Sequence, residues 1–99
     1  MKNYIADLNK AFESRVRLGI MSILLVNDVV DFGMLKEQLQ LTDGNMASHL
    51  AALEKAQYIS ITKKFVGKKP NTTYSVTEEG KKAFNLHIDA LEKLIQKTN

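Results

Sequence analysis

The fold of this chain is decided by residues 42–55, TDGNMASHLAALEK. Met46, Leu50 and Leu53 fall within about 60° of one another on a helix, so they form a narrow apolar stripe. Thr42 can cap the first turn of that helix. The opposite side carries mostly small and polar side chains, which predicts a helix whose backbone can come close to a partner.

Upstream of this segment, the pattern predicts three more helices. Asp31 can cap a helix over about 33–39, and a three-residue connection leads from there to the helix of 43–55. Ser14 can cap a helix over about 15–26 that is apolar on nearly every side and is therefore expected to be buried. Residues 1–13 place apolar side chains at helical spacing and predict a short amphipathic helix.

Downstream of Lys55, the sequence changes to β-branched and aromatic residues. Residues 58–65 and 72–76 predict two strands, and 67–71 predict a long basic turn between them. Residues 29–32 predict one further short extended piece. Thr77 then caps a final helix that runs nearly to the end of the chain.

This order of elements predicts a mainly α fold with a small β-wing, the winged helix-turn-helix. The chain is expected to be a single domain. It divides into an N-terminal helix (1–13), a winged helix-turn-helix core (14–76) and a C-terminal dimerisation helix (77–99).

The outer face of the 43–55 helix suits the major groove of DNA, where short side chains let the backbone approach the bases. Asn45 can make a bidentate contact to adenine, Ser48 can contact several bases, and Ala52 can touch a thymine methyl. Thr42 and the free N–H groups of the first turn can hold a phosphate. The alternative is an ordinary surface helix, which would normally carry more Glu and Lys on its exposed side.

Two residues of this helix keep alternative roles. Asp43 can accept a hydrogen bond from a cytosine amine, or it can serve the positive end of the helix dipole. His49 borders the apolar stripe, where it can reach a phosphate or a base or can hydrogen-bond within the protein.

The predicted hairpin is strongly basic, because residues 59–77 contain four lysines and no acid. Cationic and short polar side chains suit phosphate contacts and the minor groove. Lysines on an exposed strand also deter aggregation between sheet edges. Arg17 is a further candidate for a phosphate contact, with a salt bridge to Glu13 or another acid as its alternative. The wing and backbone candidates are Arg17, Lys63, Lys64, Lys68, Lys69, Asn71, Thr72 and Thr73.

Composition excludes several classes of protein and site. The chain has no cysteine and only two histidines, 38 positions apart, so it predicts no disulfide, metal site or thiol nucleophile. No nucleophile–base pair or phosphate-binding glycine loop is recognisable, so neither an enzyme nor a cofactor is expected. No apolar run is long enough to span a bilayer and no signal sequence is apparent, which predicts a cytoplasmic protein.

The motifs resemble winged-helix transcriptional regulators related to the MarR and ArsR groups. A compact bacterial and archaeal subgroup reads close to T-D-G-N-[apolar]-x-x-H-L, K-x-[FY]-x-G and T-x-Y-x-[apolar]-T-x-x-G, which correspond here to residues 42–50, 63–67 and 73–80. The resemblance implies a dimer with this helix in the major groove and the wing lysines as a clamp. It implies Thr42, Asp43, Asn45, Ser48 and His49 as the reading positions.

One position departs from the family pattern. Gln57 stands where the family usually has a glycine that ends the recognition helix. If the backbone there is still left-handed, the side chain costs on the order of 1 kcal/mol. The exact placement of the wing depends on this residue.

The final helix has an apolar arc of about 160°, wider than one packing seam requires. This width predicts a homodimer with a two-fold axis and a palindromic DNA site, although the helix can also fold back fully on its own domain. His87 lies within the arc and is expected to be packed and hydrogen-bonded. The predicted interface consists of Tyr4, Ile5, Leu8, Phe12, Ile88, Leu91, Leu94 and Ile95.

Together these features predict a regulator that binds double-stranded DNA sequence-specifically, most simply a homodimeric repressor that occludes its site. The helix 43–55 would read the major groove, and the wing 63–73 would hold the backbone or minor groove. The alternative is a winged-helix module for protein–protein interaction without DNA specificity. A small-molecule effector is conceivable, but no residue pattern identifies one.

Overall fold

A computed structural model describes residues 3–96 of the chain. It confirms the predicted mainly helical class with a small antiparallel wing. Two 3₁₀ turns, Tyr4–Asp7 and Lys10–Phe12, precede the regular elements. These are α1 (Arg15–Leu25), β1 (Val30–Asp31), α2 (Phe32–Leu39), α3 (Asp43–Lys55), β2 (Ile59–Val66), β3 (Lys69–Val76) and α4 (Glu78–Gln96).

Each main helix begins at the cap that the sequence predicts. The side chains of Ser14, Asp31 and Thr42 accept hydrogen bonds from the backbone N–H three residues later, at 3.3, 2.8 and 3.3 Å. Thr77 accepts in the same way from the N–H of Gly80 at 2.9 Å. These side chains satisfy donors that the first helical turn leaves without a partner, so the helix starts were readable from the sequence.

The prediction of one amphipathic helix at the N-terminus is wrong. Two separate 3₁₀ turns are present instead, with extended backbone at Leu8 and Asn9 between them. The side chains of Asn3 and Asn9 accept from the N–H two residues later, at 3.1 and 2.9 Å. Such local bonds compete with helix continuation. The first two residues of this predicted helix, and residues 97–99 of the predicted final helix, lie outside the described part of the chain.

The sheet has the strand order β1-β3-β2, and both pairs are antiparallel. The predicted long turn over 67–71 is wrong, because Lys69, Pro70 and Asn71 already belong to β3. Only Gly67 and Lys68 connect the strands, since Val66 pairs with Lys69. Gly67 has a φ of 65°, which suits the first central position of a two-residue hairpin turn.

One hydrophobic core lies between the helices and the sheet, with α1 at its centre. Met46, Leu50 and Leu53 of α3 are all buried, which confirms the predicted stripe. Burying a large apolar side chain stabilises a fold by about 1.5–3 kcal/mol, so this stripe fixes the rotation of α3 and the face that it leaves outside. The other large members of the core are Phe12, Ile20, Met21, Leu24, Val30, Leu35, Ile59, Tyr74 and Phe84.

Phe12 is a core residue, and its prediction as an interface residue is wrong. Its side chain is 2% exposed, and its ring lies 5.2, 5.1 and 5.4 Å from the rings of Tyr58, Phe84 and His87. The ring therefore lies between Tyr58, which precedes β2, and two residues of α4. The aromatic packing thereby attaches the N-terminal segment (residues 3–13) to the domain.

A helix junction joins the end of α3 to the start of α4. Gln57 has a φ of 68°, and the N–H groups of Gln57 and Tyr58 donate to the carbonyls of Glu54 and Leu53, at 2.9 and 3.0 Å. This is the Schellman pattern, so the left-handed backbone is kept although the residue is not glycine. Thr77 donates through its hydroxyl to the Gln57 carbonyl, at 2.8 Å, and through its N–H to the Tyr58 carbonyl, at 3.0 Å.

Gly80 permits this junction by having no side chain. A Cβ at Gly80 would overlap the carbonyl oxygen of Tyr58. Any larger residue would therefore push α4 away from the end of α3.

Within residues 3–96, no helix has the length and apolar character needed to cross a membrane.

Candidate nucleic-acid interface

The outer surface of α3 is small, polar and open. Asn45, Ser48 and Ala52 are exposed, and Thr42 is exposed at the helix start. Nothing lies within 4 Å of the position that a Cβ would take at Gly44. Ser48 donates to the Asn45 carbonyl at 3.2 Å, which leaves its oxygen able to accept a further bond. The structure thus brings four of the predicted reading residues onto one accessible face.

Asp43 has a partner on the preceding helix. Its Oδ1 lies 2.7 Å from Nζ of Lys36, and both side chains are largely exposed. An exposed ion pair of this kind stabilises the fold by at most about 1 kcal/mol. It links the side of α2 to the start of α3. The sequence analysis missed Lys36, because a contact between two helices cannot be read from the spacing within either one. The reading role of Asp43 stays a prediction.

His49 of α3 and Arg17 of α1 contact each other. Nη1 of Arg17 lies 3.0 Å from Nδ1 of His49, and Nε of Arg17 donates to the Ala11 carbonyl at 2.6 Å. Both side chains are half-buried. Arg17, which was predicted to contact phosphate, therefore has two partners within the protein.

The wing residues are divided between two faces of the hairpin. Strand alternation and the pairing of Lys64 with Asn71 place these two residues on one face, together with Lys69 and Thr73. The pairing of Lys63 with Thr72 places them on the other. The four wing lysines are exposed, and Asn71, Thr72 and Thr73 are half-buried. Because the strands contain no acid, both faces of the wing are basic.

The tip of the wing also carries two apolar side chains that the sequence analysis did not select. Phe65 is 72% exposed and Val66 is 63% exposed. Phe65 lies on the same strand face as Ile59 and Ile61, although Lys63 stands between them. It is exposed because the hairpin extends beyond the helices that cover its base.

The remaining predicted interface residues lie along α4 and the N-terminal segment. Ile5 and Ile95 are mostly exposed, and Tyr4, Leu8, Leu91 and Leu94 are half-buried. Ile88 is also half-buried, and it packs against the domain's own core. An open depression of about 380 Å³ lies between the segment and α4, lined in part by Leu8, Leu18, His87 and Leu91.

His87 is packed and hydrogen-bonded, as the sequence predicts. Its side chain is 3% exposed, and its Nδ1 accepts from the N–H of Asn9 at 2.9 Å. Burial lowers the pKa of this imidazole, and the charge of Glu13 opposes the shift to a smaller extent. Asn9 also donates through its side chain to the hydroxyl of Tyr58 at 2.9 Å.

Among residues 3–96, no group of three or more His, Asp or Glu side chains is arranged to hold a metal ion.

The chain is similar to known proteins over most of its length. Residues 16–95 match a family described as winged helix DNA-binding domain. An uncharacterized protein of Methanocaldococcus jannaschii is 35% identical over 79 residues, which cover 80% of this chain and 86% of that protein.

Solved structures show the same architecture. The transcriptional regulator homologue protein of Pyrococcus horikoshii OT3 superposes with a TM-score of 0.84 at 27% identity, and 97% of each chain is covered. The YusO protein of Bacillus subtilis superposes with a TM-score of 0.81 at 14% identity, over 96% of this chain and 67% of its own. At that identity the second likeness concerns the fold alone.

Proposed function

The chain belongs to the winged helix DNA-binding domain family, and from this premise we propose that it binds duplex DNA sequence-specifically and regulates transcription. Membership of a family of DNA-binding domains also confirms the prediction that the chain is not an enzyme. We further propose that it acts in the cytoplasm as a homodimer and represses by occluding its site.

The observation that carries this proposal is the outer face of α3. Through its first three turns the only charged side chain is Asp43, and Lys36 neutralises it at 2.7 Å. A solvated helix would be covered by charges, whereas a helix in the major groove needs short side chains and a few hydrogen-bonding groups. Asn45 and Ser48 supply those groups, and Ala52 lies beside them.

The wing supports contact with the DNA backbone or minor groove. Lys63, Lys64, Lys68 and Lys69 are exposed on both faces and at the tip of an acid-free hairpin. Contacts from lysine to phosphate fix the position of a protein on the duplex without reading sequence. In this proposal the wing supplies most of the affinity, and α3 supplies the discrimination between sites.

The apolar residues of α4 and the N-terminal segment support the homodimer. A two-fold axis through this face would set two α3 helices about one DNA turn, roughly 34–36 Å, apart. The site in the DNA would then be palindromic, because each half-site meets an identical helix.

The experiment is selection of binding sites from random duplexes, followed by salt titration on the selected site. If about eight phosphates are neutralised per dimer, log K falls with log salt at a slope of about −7. A symmetric selected site supports the homodimer. Absence of binding to any duplex at low salt contradicts the proposal.

Charge reversal in the wing separates DNA binding from protein binding. The double variant Lys68→Glu, Lys69→Glu should lose at least about 100-fold in DNA affinity at low salt, since phosphate contacts dominate affinity there. The matched control is Lys81→Glu, Lys82→Glu, an equal charge change on exposed residues of α4. If the chain is instead a protein-interaction module that binds through α4, the wing variant will leave its binding unchanged.

A further inference from the structure

Arg17 is held at two points inside the protein. Its Nε donates to the Ala11 carbonyl at 2.6 Å, and its Nη1 meets Nδ1 of His49 at 3.0 Å. The first contact comes from the N-terminal segment and the second from α3, so the guanidinium is fixed between them. A side chain held in this way is poorly placed to follow a DNA phosphate.

This contact determines the tautomer of His49. A guanidinium has five donors and no acceptor, and it stays protonated in proteins. Nδ1 of His49 must therefore accept the bond from Arg17, which leaves the ring proton on Nε2. The two ring nitrogens lie on different sides of the imidazole, so the Nε2–H group is directed away from Arg17.

The Nε2–H group is not fully buried. Among residues 3–96, no buried side-chain nitrogen or oxygen atom lacks a hydrogen-bond partner. Within that range the structure gives Nε2 of the half-buried His49 no protein partner, so this atom is not fully buried. His49 also follows Asn45 by one helical turn, which places the two side chains next to each other on α3.

We propose that Arg17 is a positioning residue for DNA recognition, which fixes His49 as a hydrogen-bond donor to a purine N7 in the major groove. Every base pair contains one purine and therefore offers one N7 acceptor. A donor held in a single tautomer does not have to exchange its proton before it binds. This inference rests on the proposed function, because it assigns a role within the same DNA-reading face.

The first test uses the free protein, so its outcome does not depend on DNA. Nitrogen NMR of the imidazole should show His49 as one tautomer with the proton on Nε2. In Arg17→Met the fixed donor is gone, and the His49 signals should shift toward a mixture of tautomers. A wild-type protein with the proton on Nδ1, or with a mixture, overturns the inference.

The second test separates the two ring nitrogens by substitution. In His49→Asn, the amide oxygen can replace Nδ1 as the acceptor for Arg17, but the outer donor is lost. In His49→Gln, the amide nitrogen can reach the position of Nε2 and restore the donor. On the selected site, we expect His49→Asn to bind about 10-fold more weakly than wild type and His49→Gln to recover most of that loss. Equal binding by His49→Asn and wild type overturns the contact.

The third test identifies the acceptor on the DNA. Replacing each purine of the selected site by its 7-deaza analogue should weaken the wild type about 10-fold at one position in each half-site. His49→Asn should show no further loss at that position. If the wild type instead loses affinity only at a methylphosphonate in place of one phosphate, His49 contacts the backbone and the inference is overturned.

Failure of the wild type to bind any duplex would remove the proposed function and this contact together. The NMR result would still decide whether Arg17 fixes the tautomer. For each variant, the circular dichroism spectrum shows whether the helices are kept and hence whether a loss of binding reflects misfolding.

Discussion

At the scale of single residues, Gln57 is the clearest conflict between sequence and backbone. Its φ of 68° lies in the region that glycine tolerates and other residues avoid. The conformation is kept because the bonds of the helix junction require it. The sequence alone showed that glycine was missing, but only the structure shows that the backbone did not change in response.

The first prediction is that Gln57→Gly stabilises the protein. Removing the side chain from a left-handed position should raise the free energy of unfolding by about 1 kcal/mol, less a small entropic cost of glycine in the unfolded chain. Urea denaturation measures the change. Gln57→Ala is the matched control and should gain nothing, since alanine keeps the Cβ. Equal stability of the two variants would contradict this account.

The second prediction concerns His87 and pH. Burial lowers the pKa of this imidazole in the folded protein, so the unfolded chain binds a proton at a higher pH than the folded chain does. Above the ordinary histidine pKa, His87 is neutral in both states and therefore does not make the free energy of unfolding depend on pH. As the pH falls below about 6.5 toward the lowered value, folded stability should decrease by at most about 1.4 kcal/mol per pH unit from this group.

Urea unfolding between neutral pH and about pH 5 measures this slope, in a range where histidine is the side chain that titrates. His87→Asn keeps an acceptor for the Asn9 N–H but cannot be protonated, so its stability should depend less on pH. All other titratable groups are the same in both proteins, so the comparison isolates His87. An identical pH slope in the two proteins would show that His87 does not titrate on unfolding.

At the scale of elements, the wing shows why boundaries are harder to predict than element types. Pro70 and Asn71 suggest a turn, yet both residues are paired in β3. β3 is the central strand, but β1 ends at Asp31 and pairs only with Thr73 and Tyr74. Pro70 therefore lies where β3 has no neighbour on its other side, and its missing N–H breaks no second ladder.

Helix caps and the α3 stripe were predictable because they depend on residues close in sequence. The fixed offsets from Ser14, Asp31 and Thr42 need no knowledge of the fold. The pair formed by Arg17 and His49 is different, because it joins positions 32 apart in the chain. The candidate site was thus predictable as a face of α3, while the bonds that hold its side chains were not.

The third prediction concerns the apolar tip of the wing. Phe65 is mostly exposed, so Phe65→Ser should change the free energy of unfolding by less than about 0.5 kcal/mol. The same change should weaken DNA binding several-fold, because an apolar ring among lysines can pack on sugars or between bases in the minor groove. Urea denaturation and a gel-shift titration give the two values.

Ser60→Ala is the control, since it changes an exposed β2 residue near the base of the hairpin. It should leave both values near those of the wild type. A large loss of stability in Phe65→Ser would show that the ring packs on the protein and not on DNA.

At the scale of the whole molecule, the chain is more extended than its length requires. The radius of gyration is 15.2 Å and the principal extents are 58 × 25 × 21 Å. A compact domain of this length has a radius of gyration of about 13 Å. An elongated chain exposes a larger share of its surface than a compact chain of the same length does.

The fourth prediction is that one charge on the proposed interface separates the subunits. Ile5 is 66% exposed, so Ile5→Glu should not disturb the fold of one subunit, but it should weaken the homodimer at least about 10-fold. Leu86→Glu is the matched control, because Leu86 is 57% exposed and lies elsewhere around α4. Sedimentation equilibrium measures both. A monomeric wild type, or equal dissociation of the two variants, would count against this interface.

The N-terminal segment shows the limit of prediction at this scale. Its apolar spacing fits a helix, and nothing local indicates that Asn9 bonds a histidine 78 positions away. The long-range bonds of Asn9 and the insertion of Phe12 determine where the segment goes. Such contacts depend on the finished fold, so periodicity predicted its apolar character but not its path.

The helix junction has an evolutionary consequence. Thr77 bonds the end of α3 at Gln57 and Tyr58, so one fixed point lies between the residues proposed to read the bases and the helix proposed to pair the subunits. Mutations along α4 would then alter the spacing between half-sites without altering base preference, and mutations on α3 would do the reverse. Descendants of such a chain are expected to diverge in operator spacing and in operator sequence as two traits that vary separately.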